Sequence, residues 1–175
     1  MKYLLICLAL AFAMCCKKTE TNPLDAELAK LPPITQAGAN TFGCLVNGKA
    51  FMPCGDNGIL PNYRLNIDPG LDSGVFLLNV YCLQNNNKSQ INIGSTILKK
   101  VGTYKISQTL KTKVDLEINN CFTLNLDSTY QDGSLRITKY DLSSKIFSGE
   151  FDFKFYHPTC NDTVYVTKGR FDKKL

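Results

Sequence analysis

A chain of 175 residues, 44% of them hydrophobic and 20% charged, is long enough for one domain with a terminal extension and too apolar to stay disordered. Its net charge of +5 forms no basic arm or stripe, which argues against a nucleic-acid-binding protein. The chain has eight cysteines, no Trp and a single histidine, His157, so few residues are available for acid–base or metal chemistry.

Residues 1 to 16 read MKYLLICLALAFAMCC. Lys2 precedes an uncharged apolar run from Tyr3 to Met14, and Lys17-Lys18 follows the cysteine pair. The run is too short for a bilayer of ~30 Å, which takes roughly 20 residues in a helix. It fits the h-region of an export signal. Its end at Cys15-Cys16 resembles a bacterial lipoprotein signal, although Ala13 stands where that motif usually has Leu. The resemblance implies a signal peptide over 1–15, cleavage before Cys16, and acylation of the Cys16 thiol and amino group (palmitate among the chains). Cys16 is preferred to Cys15 because it leaves a small residue before the cut, whereas Cys15 would leave Met14 there. Two or three acyl chains anchor stably where a single chain binds marginally. Lys17 and Lys18 would add about 1 kcal/mol each toward anionic lipid.

Residues 16–40 read as a tether. Asp25 to Leu31 suits a short helix, with Asn22 as cap and Pro23 at its first position. Pro32-Pro33 stops it. A single β-domain is expected over 41–175. Phe42–Val46 and Lys49–Met52 flank Asn47-Gly48, a type I′ hairpin signal. Strands follow at Tyr63–Ile67, Val75–Leu83 (Phe76, Leu78, Val80 and Cys82 on one face), Gln90–Gly94 and Gly102–Ser107. The next run, Leu116–Leu126, places Leu116, Ile118, Phe122, Leu124 and Leu126 together. Ser134–Tyr140 comes after a turn at Asp132-Gly133. Ile146–Tyr156 alternates strictly: Phe147, Gly149, Phe151, Phe153 and Phe155 against Ser148, Glu150, Asp152 and Lys154. Thr163–Asp172 ends the series, with Tyr165, Thr167 and Phe171 on one side and Gly169 as a bulge signal. The expected fold is all-β, an antiparallel β-sandwich of about 8–10 strands, with a closed lipocalin-like β-barrel as the alternative.

Asn40-Thr-Phe-Gly-Cys-Leu-Val-Asn-Gly48, Gly102-Thr-Tyr104, Gly133 to Asp141, Lys145 to Phe153 and Val164 to Asp172 stand in a recognisable order. The chain resembles small cell-envelope lipoproteins of Bacteroidota that end in a G-x-F-x-F … T-x-G-R-F-D pattern. That resemblance covers most of residues 40 to 172. It implies an envelope lipoprotein with a β-fold and carries no activity.

No constellation in the sequence compels a reaction. His157, before Pro158, is expected at a hairpin end as an ordinary loop residue. It is the one histidine a Ser-His-Asp triad could use, and neither G-x-S-x-G nor H-E-x-x-H occurs. A tetrahedral zinc site would need His157 with several cysteines, and no C-x-x-C seeds one. Glu150 and Asp152 share a strand face as a glycosidase pair can. Lys154 stands where a third acid would be, and no Trp can stack on a sugar, so a solvated Glu-Asp-Lys ladder is the better reading. Asp68, Asp72, Asp127 and Asp132 sit in expected loops without EF-hand spacing, and turn chemistry explains them better than Ca²⁺. Lys173 and Lys174 read as a solvated terminus. Asp127-Ser128-Thr129 and Asp162-Thr163-Val164 resemble short O-glycosylation acceptors of Bacteroidota, which makes Ser128 and Thr163 candidate sites.

Removal of Cys7 and Cys15 with the signal, and use of Cys16 as the anchor, leaves Cys44, Cys54, Cys82, Cys121 and Cys160. Export permits disulfides, but an odd number leaves a thiol free. Cys121 falls on the polar side of its strand and Cys160 in a loop, so Cys121–Cys160 is the favoured pair. Hairpin register sets Cys44 opposite residue 51, leaving Cys54 roughly 10 Å along at about 3.3 Å per residue. That is beyond the ~7 Å a disulfide allows. Cys82 with Cys44 or Cys54 is the second pairing.

The expected function is that of a non-enzymatic accessory or binding domain on the cell envelope, lipid-anchored, outer membrane for preference. It would need no cofactor, and an envelope protein or glycan would be its partner. The alternatives are a lipocalin-like carrier of a small apolar ligand and an envelope hydrolase acting on glycans.

Overall fold

The computed structural model describes residues 22–55, 63–68, 74–84, 87–118, 121 and 129–175. The signal segment, Cys16, Lys17, Lys18, Asp72, Asp127 and Ser128 lie outside these residues. In chain order come α1 (Pro23–Leu28), β1 (Thr41–Val46), β2 (Lys49–Phe51), β3 (Tyr63–Asp68), β4 (Val75–Gln84), β5 (Asn87–Ser95), β6 (Gly102–Ser107), β7 (Thr112–Glu117), β8 (Tyr130–Asp141), β9 (Ile146–His157) and β10 (Asp162–Lys174). They form two antiparallel sheets, β2-β1-β10-β9-β8-β6 and β3-β4-β5-β7. Each sheet keeps two edges among the described residues. The architecture is therefore an open β-sandwich and not a closed barrel.

Alternation along the strands explains the core. Phe76, Leu78 and Val80 of β4 and Ile91 and Ile93 of β5 face Leu135 and Ile137 of β8 and the phenylalanines of β9 in one cluster. Phe151, Phe153 and Phe155 are buried there, so this face fills the interior and does not wall a carrier cavity. Cys44 joins the same cluster from β1, and burial pushes its thiol pKa well above the ordinary value.

Three strand readings need correcting. The run expected over 116–126 begins earlier, at Thr112, and Thr112, Val114 and Leu116 point inward. Ile118 and Cys121 then exchange backbone hydrogen bonds (3.1 and 2.9 Å); Phe122, Leu124 and Leu126 of that expected run lie outside the described residues. The turn expected at Asp132-Gly133 is the interior of β8. Gly133 stands there for space: a Cβ would collide with the Asp152 carbonyl and the Phe153 backbone. In β10 the inward face is Val164, Val166 and Phe171, while Tyr165 and Thr167 face outward. Register against β9 slips between Val166 and Gly169, with Lys168 at φ 55°, and this bulge exchanges the faces of β10 midway.

Residues 22–40, ahead of β1, are bonded to the six-stranded sheet. Asn22 caps α1 through the Leu24 amide. Glu27 accepts the Ala50 amide at the β2 edge (2.9 Å), and Leu31 is buried. The Arg170 guanidinium donates to the Pro32 carbonyl (3.2 Å). The strap then reaches Asp172, whose carboxylate accepts hydrogen bonds from the Thr35 hydroxyl (2.6 Å), the Ala37, Gly38 and Ala39 amides (2.9, 2.8 and 3.1 Å) and the Ser148 hydroxyl (2.8 Å). Burial of this carboxyl raises its pKa, but these donors together outweigh that and hold it at about 2.

Candidate functional site

The candidate site lies where both disulfides gather, at the end of the sandwich that carries the β1–β2 turn. Asn47 and Gly48 take positive φ (48° and 79°), as a two-residue hairpin requires. The turn is fastened to β10: the Asn47 amide donates to the Tyr165 carbonyl and the Tyr165 amide to Asn47 Oδ1, both at 2.8 Å. Beyond β2 the chain leaves the six-stranded sheet and joins the other one. Cys54 makes a parallel bridge with Cys82 of β4, the Leu83 amide donates to the Cys54 carbonyl (3.0 Å), and the two cysteines are disulfide-bonded with Cα atoms 4.3 Å apart. This crossing carries Cys54 away from Cys44, which is the free cysteine among the described residues.

A cleft of about 710 Å³ lies beside this crossing, within the size range of small-molecule sites. Val46, Phe51, Met52, Pro53 and Ile118 supply apolar wall, and Lys49, Asn47, Asn87 and Ser89 supply polar groups. Among the described residues neither a carboxylate nor an imidazole lines it.

The second cluster at this end is Cys121, Cys160 and His157. Cys121 and Cys160 are disulfide-bonded, Cα atoms 6.1 Å apart. His157 is the last residue of β9 and is 1% exposed, not a solvated loop residue. Its ring lies 5.9 Å from the Phe155 ring, tilted at 59°. A ring nitrogen and the two sulfurs all fall within 4.8 Å of one another. The legible half of this cluster in the sequence is the spacing His157-x-x-Cys160, set by the β9–β10 turn. The Cys121–Cys160 pairing is the one the strand parity favours, and tertiary packing adds the buried His157 to it.

The remaining candidates are dispersed. Glu150 and Asp152 lie on the outer face of the six-stranded sheet, Glu150 3.7 Å from the Arg136 guanidinium and Asp152 accepting from the Ser134 hydroxyl (3.2 Å). Asp132 belongs to β8, between Lys105 (3.9 Å) and Lys154 (3.7 Å), and not to a loop. Asp68 is the last residue of β3. Thr163 is half-buried in β10 opposite Tyr156. Lys173 is a strand residue whose partial burial lowers its pKa, rather than part of a solvated tail; Lys174 beside it is exposed. Among the described residues no helix is long and apolar enough to cross a membrane.

A family model described as Domain of unknown function (DUF6252) matches residues 75–173. The match runs from β4 through β10, so it takes in Cys82, Cys121, His157 and Cys160 and leaves α1 to β3 outside. No curated protein and no solved structure matches the chain.

Proposed function

The chain belongs to the Domain of unknown function (DUF6252) family, and on that footing we propose that it is a lipid-anchored envelope protein whose sandwich binds a small anionic amphiphile. In this reading the diacyl or triacyl group on Cys16, palmitate among its chains, holds the protein on the outer membrane without spanning it. Only residues 17–21 separate Cys16 from Asn22, a reach of at most about 21 Å of extended chain. With Glu27 bonded to the Ala50 amide, so short a link keeps the β2 edge and its cleft close to the bilayer.

The observation that carries the binding reading is the wall of the cleft. Among the described residues, an apolar floor with the Lys49 ammonium, the Asn47 and Asn87 carboxamides and the Ser89 hydroxyl is recognition chemistry for an amphiphile with an anionic head. Among the described residues that line it, no pair of groups is placed to take and return a proton.

Two measurements test this. In a lipoprotein-processing bacterium fed a clickable palmitate analogue, the full chain should become labelled and Cys16→Ala should not; an equally labelled Cys16→Ala protein would overturn the anchor. Titration of the folded protein with an anionic amphiphilic fluorophore should show saturable binding that Lys49→Glu weakens at least tenfold, about 1.4 kcal/mol, and that Glu150→Gln on the outer face leaves alone. Binding unaffected by Lys49→Glu would remove the cleft as the site.

A further inference from the structure

We propose that Cys121, Cys160 and His157 form a redox-gated site for a thiolate-preferring metal ion: closed while the disulfide is intact, open to Zn²⁺ once it is reduced. Three observations converge on it. The three donor atoms already lie within 4.8 Å of one another, although all of β8 and the rest of β9 stand between Cys121 and His157 in the chain. The donor set is two sulfurs and an imidazole, which suits Zn²⁺ in a tetrahedral site with one position left for water. The exposure is graded: His157 is buried, Cys121 is half-buried and Cys160 is exposed, so a reductant and then a metal ion have access from the Cys160 side.

The chemistry balances with one named co-reactant, a dithiol reductant. A thiolate of the reductant attacks the exposed Cys160 sulfur, the S–S bond breaks, and Cys121 leaves as a thiolate. The second thiol of the reductant resolves the mixed disulfide. Two electrons have then passed to the protein, the reductant has closed its own disulfide, and Cys121 and Cys160 are thiols. Zn²⁺ binds by displacing both thiol protons to solvent, forming two Zn–S bonds and one Zn–N bond to His157 with no change in the oxidation state of the metal. Sulfurs that were bonded need only separate to the spacing set by Zn–S bonds of about 2.3 Å, and the imidazole is already beside them.

The other cysteines do not mimic this site. Cys44 is buried in the core, and among the described residues Cys54 and Cys82 belong to no such group of metal-ligating side chains.

The test is zinc binding to the full chain, oxidised and anaerobically reduced, with a chromophoric chelator as competitor and Zn²⁺ as the probe. Reduced protein should hold one equivalent and oxidised protein none, a comparison within one sequence. His157→Ala and Cys160→Ser should each weaken binding by about 100-fold or more, above what loss of an outer-shell partner costs. Cys54→Ser should leave it within about threefold of the reduced parent. Co²⁺ in place of Zn²⁺ should give tetrahedral d–d bands and thiolate-to-metal charge transfer, and the charge transfer should survive His157→Ala while the d–d bands change. Overturning results are no zinc on the reduced chain, whether folded or unfolded, equal binding by oxidised and reduced protein, or binding that Cys54→Ser abolishes and His157→Ala does not touch.

Discussion

Asp172→Asn tests how the N-terminal strap is held to the sandwich. The carboxylate is 1% exposed and accepts five hydrogen bonds, three of them from the backbone amides of residues 37–39. Asparagine keeps its shape, removes its charge and turns an amino group toward groups that are themselves donors. Burial raises the carboxyl pKa, yet the donors bring it from 3.8 to about 2 in the folded protein. At about 1.36 kcal/mol per tenfold change in proton affinity, this corresponds to about 2 kcal/mol favouring the ionised form. The folded pKa lies below the unfolded one, so this stabilisation is complete above about pH 4 and is lost as the pH falls to about 2. Urea unfolding at neutral pH should therefore find Asp172→Asn about 2 kcal/mol less stable, with the melting temperature lowered by about 4–8 °C. Repeating the measurement down to about pH 2 should bring the parent and variant curves together, because the parent loses the charge the variant never had. Hydrogen exchange should speed at the Ala37, Gly38 and Ala39 amides first. A gap below about 0.5 kcal/mol at neutral pH, within the scatter of surface substitutions, would show that the Asp172 charge does not hold the strap. So would a gap that stays constant to the lowest pH.

Two further outcomes follow from the packing. Gly133→Ala places a methyl against the Asp152 carbonyl and the Phe153 backbone, neither of which is a flexible end, so it should cost about 3 kcal/mol in chemical denaturation; a cost below about 1 kcal/mol would mean that β8 and β9 leave room for a Cβ between them. Cys44, buried and with its thiol pKa raised by that burial, should stay unlabelled by a thiol reagent in the folded, non-reduced protein and label fully after unfolding, as mapped by peptide mass spectrometry; rapid labelling of the folded protein would contradict its place in the core.

Much of the fold was legible because period-two alternation is a property of the chain itself. Phe76, Leu78 and Val80, and the phenylalanines of β9, declare their inward face without any partner strand. Asn47-Gly48 likewise writes its own turn, since the positive φ angles belong to those two residues. Alternation fails where one residue is added. The bulge between Val166 and Gly169 exchanges the faces of β10, so Tyr165 points out although it shares parity with buried Phe171. Gly133 reads as a turn residue, yet its role is to let Asp152 and Phe153 of the neighbouring strand come close.

The all-β class, most strand positions and the inward faces are set by local residue order, because they depend on spacing along a few residues. Tertiary structure alone decided that the sheets stay open, because closure depends on which strands become edges. It also decided that Asp172 gathers the strap, and that His157 packs against the Cys121–Cys160 pair the sequence favours. Asp172 and the strap, like Cys121 and the β9–β10 turn, lie far apart in the chain, and only the packing of the sheets brings them within bonding range.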